Sequence, residues 1–181
     1  MEPVIFLAGE KVYLRPVENS DQAMVYRGKN DPRVRETLFL FYPLSFEEIG
    51  REQQSWLSAR ENVALTICNR EDHQAVGQTA YLRIDYISRA AIFYLAIYNP
   101  EHWGRGYAGE ATRLMTQYGF DTLNFNRIQL HVFCDNIAAV KAYQKAGFQI
   151  EGTLREAMYH HDRYCDFYVM GILRRDYYRT V

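Results

Sequence analysis

The sequence predicts one α/β (α+β) domain built on a mixed, mostly antiparallel sheet of about seven strands with about four flanking helices. Three observations carry this. The chain has 181 residues, enough for one large domain and short for two. Strand-type and helix-type patterns follow in the order β, two helices, three strands on short connections, β-loop-α, β-α and a closing hairpin. Short connections force antiparallel neighbours, whereas a strand-helix-strand passage makes a parallel crossover. The third observation is Ile92-Phe93-Tyr94-Leu95-Ala96-Ile97-Tyr98, an unbroken apolar run of strand length that expects cover on both faces.

Residues 11–16 alternate, with Val12 and Leu14 to one side and Tyr13 and Arg15 to the other, which is a strand. Ser20 or Asn19 caps a short helix near residues 21–29, and Asp31-Pro32 breaks it. Residues 38–43 are too aromatic for a plain solvated loop. Ser45 with Glu48 three positions on is a capping box opening a second helix, with Ile49, Gln53, Trp56 and Leu57 along one face. Strands follow over 63–68 and 76–85, separated by a polar turn over 69–74, and residues 87–89 turn into the apolar run. After the glycines, Ala111, Leu114, Met115 and Tyr118 recur at helical spacing. Residues 127–133 form a strand with Ile128, Leu130 and Val132 on one face. Asn136 caps a last helix carrying Ala139, Val140 and Tyr143 on one face; Gly147 ends it in a left-handed cap, with Phe148 packing back. Strands over 149–158 and 164–173 close the chain around the turn His160-His161-Asp162-Arg163.

The formal net charge is −1, and no whole-chain basic field points to nucleic acid. No apolar run reaches membrane-spanning length, and the N-terminus lacks the basic and apolar parts of a secretory signal. Cys68, Cys134 and Cys165 are scattered and read as reduced thiols, which predicts a cytoplasmic protein. Two adjacent histidines in a hairpin turn, with no cysteine or carboxylate at ligand spacing, read as surface residues, and no metal site is expected.

The apolar run ends at Asn99-Pro100, where proline has no N–H for further pairing. Trp103-Gly104-Arg105-Gly106-Tyr107-Ala108-Gly109 follows, opening a helix. Glycines let the backbone approach a ligand closely, and a helix N-terminus adds free N–H donors and a positive dipole end. The stretch reads as a pyrophosphate site. It fits G-x-G-x-x-G, yet the context of a dinucleotide fingerprint is absent. A helical pair and an antiparallel meander precede it, and 123–133 holds no acid for a ribose. A Walker loop fails for want of Gly-Lys-Ser/Thr.

Trp103-Gly104-Arg105-Gly106-Tyr107-Ala108 resembles the Gln/Arg-x-x-Gly-x-Gly/Ala acetyl-coenzyme A loop of the Gcn5-related N-acetyltransferases, with Trp103 in place of the leading Gln/Arg. Glu110-Ala111 resembles the ribosomal-protein-alanine acetyltransferase branch. Asn136 to Tyr143 to Gly147-Phe148 is similar to the family's Asn-x-x-(Ser/Ala)-x-x-x-Tyr-x-x-x-Gly-Phe helix. Residues 151–156, then Arg163-Tyr164-x-Asp166 and Met170-x-Ile172-Leu173, resemble the C-terminal hairpin of that branch and of spermidine acetyltransferases. The likeness spans residues 12–177.

The resemblance implies the acyl-CoA N-acyltransferase fold, its sheet splayed at the centre. It implies acetyl-CoA as cosubstrate, bound by Leu95, Ala96, Ile97 and Tyr98 along the pantetheine and by Trp103, Gly104, Arg105, Gly106, Tyr107, Ala108 and Gly109 around the diphosphate. Asn136 and Tyr143 join this binding set and are the expected catalytic residues, Tyr143 donating to the departing sulfur. A peptide-like arm can pair with a strand edge, and Asn99-Pro100 is the expected point of splay. The family's glutamate before the loop is absent, since Ile92 and Phe93 occupy those positions. That favours an acceptor of low pKa or a water relay. An α-amine costs about 1.4 kcal/mol to deprotonate at pH 7, a lysine-like amine about 4.6. Asp85, Glu36 and His131 remain candidate bases.

The acceptor is therefore expected to be a peptide or protein N-terminal amine or a small aromatic or apolar amine. Residues 36–42 hold one acid among aromatics, a poor match to a polyamine. The alternatives are a polyamine acetyltransferase, a non-catalytic acyl-CoA sensor, or, least consistent, a nicotinamide dinucleotide protein. The aromatic content allows a homodimer.

Overall fold

A computed structural model of the chain describes residues 3–38, 40–160 and 162–180. Its eight strands form one sheet: β1 (Leu7–Ala8), β2 (Val12–Pro16), β3 (Val63–Asn69), β4 (Ala75–Asp85), β5 (Ala90–Ile97), β6 (Arg127–Phe133), β7 (Gln149–His160) and β8 (Arg163–Leu173). The helices are α1 (Gln22–Asn30), α2 (Pro32–Leu38), α3 (Phe46–Ser58), α4 (Tyr107–Asp121), α5 (Ile137–Lys145) and α6 (Arg174–Thr180). The spatial order is β1-β2-β3-β4-β5-β6-β8-β7. Every pair is antiparallel except β5 with β6, joined by the α4 crossover.

The expected seven strands and four helices become eight and six among the described residues. The additions are β1, α2 and α6, each too short to show a periodic pattern. Pro32 ends α1 as expected but also opens α2 at its first position, where its missing N–H costs nothing. The cap of the first helix also moves. A 3-10 turn over Asn19–Asp21 leads into α1, and the Glu18 N–H donates to Asp21 Oδ2 at 2.9 Å. Asp21 is drawn there because it is buried and also takes Arg15 and the Thr66 hydroxyl. The Ser45–Glu48 capping box stands as expected: Ser45 Oγ accepts the Glu48 N–H at 3.2 Å, and Glu48 Oε2 accepts the Ser45 N–H at 2.7 Å.

The two faces of β5 carry two cores. Phe93 and Ile97 join α4, α5 and the C-terminal strands, while Ala96 and Tyr98 join Val25, Val34 and Ile49 of α1, α2 and α3. The run is covered on both sides, and that is why it shows no alternation. Gly147 takes φ +95° after α5, and the Phe148 N–H returns to the Tyr143 carbonyl at 3.0 Å.

Candidate active site

The centre of the sheet opens. β5 and β6 pair only over Ala90–Arg127, Ala91–Ile128 and Ile92–Gln129. The opening therefore begins directly after Ile92, not at Asn99-Pro100. Where the ladder stops, the rings of Phe93, Tyr143 and Phe148 gather at centroid separations of 5.9 to 6.2 Å. Their bulk occupies the α5 side of the two strands at the point of divergence. Asn99-Pro100 only starts a 3-10 turn toward the glycines.

The opening is a cleft of about 860 Å³. The Tyr98 N–H donates to Val76 O at 2.9 Å. Antiparallel alternation then turns the N–H groups of Ala96 and Tyr94 toward β4 and those of Leu95 and Ile97 into the cleft. Leu95, Ala96 and Ile97 all border it. Tyr98 does not: its ring is buried under α1–α3 with its hydroxyl 3.1 Å from that of Tyr94. Burial pushes both phenols up, away from any role as a base at neutral pH.

At the outer end, Gly104 and Gly106 take φ +75° and +87°, conformations that side chains oppose. The first bond of α4 runs from the Glu110 N–H to Gly106 O. The amides of Tyr107, Ala108 and Gly109 thus lack an intrahelical acceptor, and all three residues line the cleft with Gly104 and Gly106. A Cβ at Gly104 or Gly109 would meet nothing within 4 Å, so open space faces both. Together these features present the free donors and open space that an anion cradle needs. Arg105 lies off the cleft wall, its carbonyl accepting from Lys11 Nζ at 3.3 Å.

Trp103 Nε1–H donates to the Ile97 carbonyl at 3.0 Å. Ile97 O lies on the open edge of β5, so the indole caps a group that β6 leaves unpaired. Asn136 Oδ1 accepts the Ala139 N–H at 3.1 Å and caps α5, which leaves its Nδ2–H2 as a donor on the cleft wall. Tyr143 borders the cleft two turns on, and burial pushes its phenol up to about 12. Its hydroxyl bonds to none of the described residues.

Of the three candidate bases, only His131 lines the cleft. Asp85 caps the β4–β5 turn, accepting the Ile87 and Ser88 N–H groups at 2.9 Å each; a hydrogen bond from the Ser88 side chain first, and then these backbone bonds, hold its carboxyl below the usual range. Glu36 is exposed on α2 and off the cleft wall. Val34, Thr37, Leu38, Tyr94, Met158 and Phe167 also line the cleft. Among the described residues no aspartate or glutamate lines the cleft, while Arg113, Lys141 and Lys145 do. Of the expected aromatic stretch and histidine pair, Phe39 and His161 lie outside the described residues.

Sequence reasoning missed Lys11, which stands against the glycine loop from a turn 94 positions earlier in the chain. No local pattern signals such a contact.

Residues 11–149 match the family model for the acetyltransferase (GNAT) domain. A spermidine N(1)-acetyltransferase of Vibrio cholerae is 31% identical over 166 residues, covering 91% of this chain and 94% of its own. An uncharacterized N-acetyltransferase, p20, of Bacillus licheniformis is 31% identical over 173 residues, covering 93% and 96%. The crystal structure of the Vibrio cholerae spermidine N-acetyltransferase in complex with CoA and spermine superposes with a TM-score of 0.85 at 29% identity, covering 93% of this chain and 98% of that one. A dodecameric structure is described for the same Vibrio cholerae enzyme.

Proposed function

The chain belongs to the GNAT acetyltransferase family and transfers the acetyl group of acetyl-CoA to an amine; from this premise we propose that its acceptor is a primary amine with an apolar or aromatic tail, either a small molecule or a peptide or protein N-terminus. One observation carries the choice. Outside the residues assigned to the acyl donor, the cleft is lined by residues that include Val34, Thr37, Leu38, Tyr94, Met158 and Phe167, and among the described residues no carboxylate lines it. A polyamine keeps two or more ammonium groups, and taking each from water without a carboxylate is costly. A monoamine loses its one charge before attack. With no carboxylate base on the wall, an α-amine near pKa 8 suits the site better than a lysine-like one.

In this reading the loop amides of residues 104–109 hold the diphosphate and the open edge at Leu95 and Ile97 holds the pantetheine. The neutral amine attacks the thioester carbon, and its nitrogen sheds one proton to solvent as the amide forms. A β5 N–H receives the oxyanion, the C–S bond breaks, and Tyr143 donates a hydrogen bond to the thiolate. Asn136 keeps α5, and hence Tyr143, in place. The relatives do not favour a non-catalytic sensor.

The proposal extends to association of identical chains, at least a homodimer, supported by the exposed Ile150, Leu154, Tyr159 and Tyr164 of the β7–β8 hairpin. It extends also to a cytoplasmic location, supported by three free cysteines. Among the described residues no helix is long and apolar enough to cross a membrane.

The test is a panel of amines and N-terminal peptides read by free-thiol release from acetyl-CoA. Aromatic and apolar monoamines or N-terminal peptides should exceed spermidine in kcat/KM. Spermidine as the best acceptor would overturn the assignment.

A further inference from the structure

Glu110 follows directly on the loop amides, in the first turn of α4, yet it is turned away from the cleft and buried. Its Oε1 accepts the Glu10 N–H at 2.7 Å, and its Oε2 accepts the Lys11 and Val12 N–H groups at 2.9 Å each. Three backbone donors on one carboxylate are charge-assisted bonds, individually about twice as strong as neutral ones. The turn between β1 and β2 is shaped to receive it. The Gly9 N–H closes on Val12 O at 2.9 Å, and a Cβ at Gly9 would lie 2.8 Å from Glu110 Cδ.

The same turn carries Lys11, whose Nζ donates to Arg105 O. Across a trans peptide the C=O of one residue and the N–H of the next point in opposite directions. Holding the Arg105 carbonyl on the Lys11 side therefore turns the Gly106 N–H the other way. Lys11 is not on the cleft wall, whereas Gly106 is. A closed circuit results: α4 to Glu110, to the β1–β2 turn, to Lys11, to Arg105, and back to α4 through Gly106. A like charge so near a diphosphate would repel it; this one is aimed elsewhere, its two oxygens held by three backbone donors.

We propose that Glu110 and Lys11 are positioning residues that preset the glycine-loop amides for the acyl donor's diphosphate, an inference that rests on reading this loop as the diphosphate site. The cradle then binds without first having to order itself.

The test compares two donors in the full chain, acetyl-CoA and S-acetylpantetheine, which lacks the diphosphate. Variants are Glu110→Gln, Lys11→Met and Lys11→Arg, each with a melting curve. In the unaltered protein kcat/KM should favour acetyl-CoA strongly. In Glu110→Gln and Lys11→Met that preference should fall about tenfold, through KM for acetyl-CoA rather than kcat, and Lys11→Arg should restore it. An equal loss with both donors, or a lowered Tm with the preference intact, would reduce Glu110 and Lys11 to structural anchors and overturn the proposal. Lys11 is exposed, so its variants answer the question even if Glu110→Gln fails to fold. An unaltered protein that does not distinguish the donors would overturn the loop reading itself, and this inference with it.

Discussion

Tyr143→Phe isolates one hydroxyl. The ring packs edge-on to Phe93 at 6.2 Å and beside Phe148 at 5.9 Å, and phenylalanine keeps both contacts. The hydroxyl bonds to none of the described residues, so its loss leaves no protein group unsatisfied. Burial raises the phenol to about 12. Against a thiol near 8.5, complete proton transfer to the departing sulfur is uphill by about 5 kcal/mol. Tyr143 is thus a poor acid, and the role proposed for it is a hydrogen bond that strengthens as negative charge grows on sulfur. A bond to a charged group contributes about 1.5–3 kcal/mol. Removing it from the transition state should lower kcat about ten- to a hundredfold, with little change in KM for acetyl-CoA or in Tm. Steady-state free-thiol release at saturating acceptor, with a melting curve alongside, reads all three. Full kcat in the variant, or a KM for acetyl-CoA that rises while kcat holds, would remove Tyr143 from the chemistry.

Further outcomes follow from the same geometry. Gly106→Ala forces a Cβ into φ +87°, costing about 1–2 kcal/mol; Tm should fall by about 2–8 °C and KM for acetyl-CoA should rise, and an unchanged Tm would contradict the strain. Trp103→Phe deletes the donor to Ile97 O and should lower unfolding free energy by about 1 kcal/mol in a urea titration. The Arg127 hydrogen bond holds the Glu151 carboxyl below its usual range. Its stabilisation is present above about pH 4.3 and is lost as pH falls through the lower folded value. Glu151→Gln should therefore flatten the acid limb of the Tm–pH curve; a partly exposed pair makes the effect small, and parallel curves would refute the coupling.

Much of the candidate site's geometry was legible because its signals are local. The glycines, the helix start at Tyr107, the Asn136 cap and the Tyr143 and Phe148 spacing all lie within a few residues of what they act on. The buried β5 announced itself by apolar residues on both faces. Less legible were Tyr98 and Arg105. Which way a strand residue faces follows from the register with β4, and which way a loop carbonyl points follows from Lys11. The place where the sheet opens was also displaced in the sequence reading. Proline marks where a strand must stop, but the ladder ends earlier, where Phe93 meets rings from α5 and the segment after it.

From the sequence alone came the order of the longer elements, the candidate anion-binding turn and the family, since each is written in spacings of three to seven residues that helices and turns impose. Only the tertiary structure decided which amides face the cleft, which charges stay off its wall, and that Glu110 grips a turn about a hundred positions away. Contacts between distant segments obey no period. They are set by how two sheet faces and their helices fill space together, and that is settled only when the whole chain has packed.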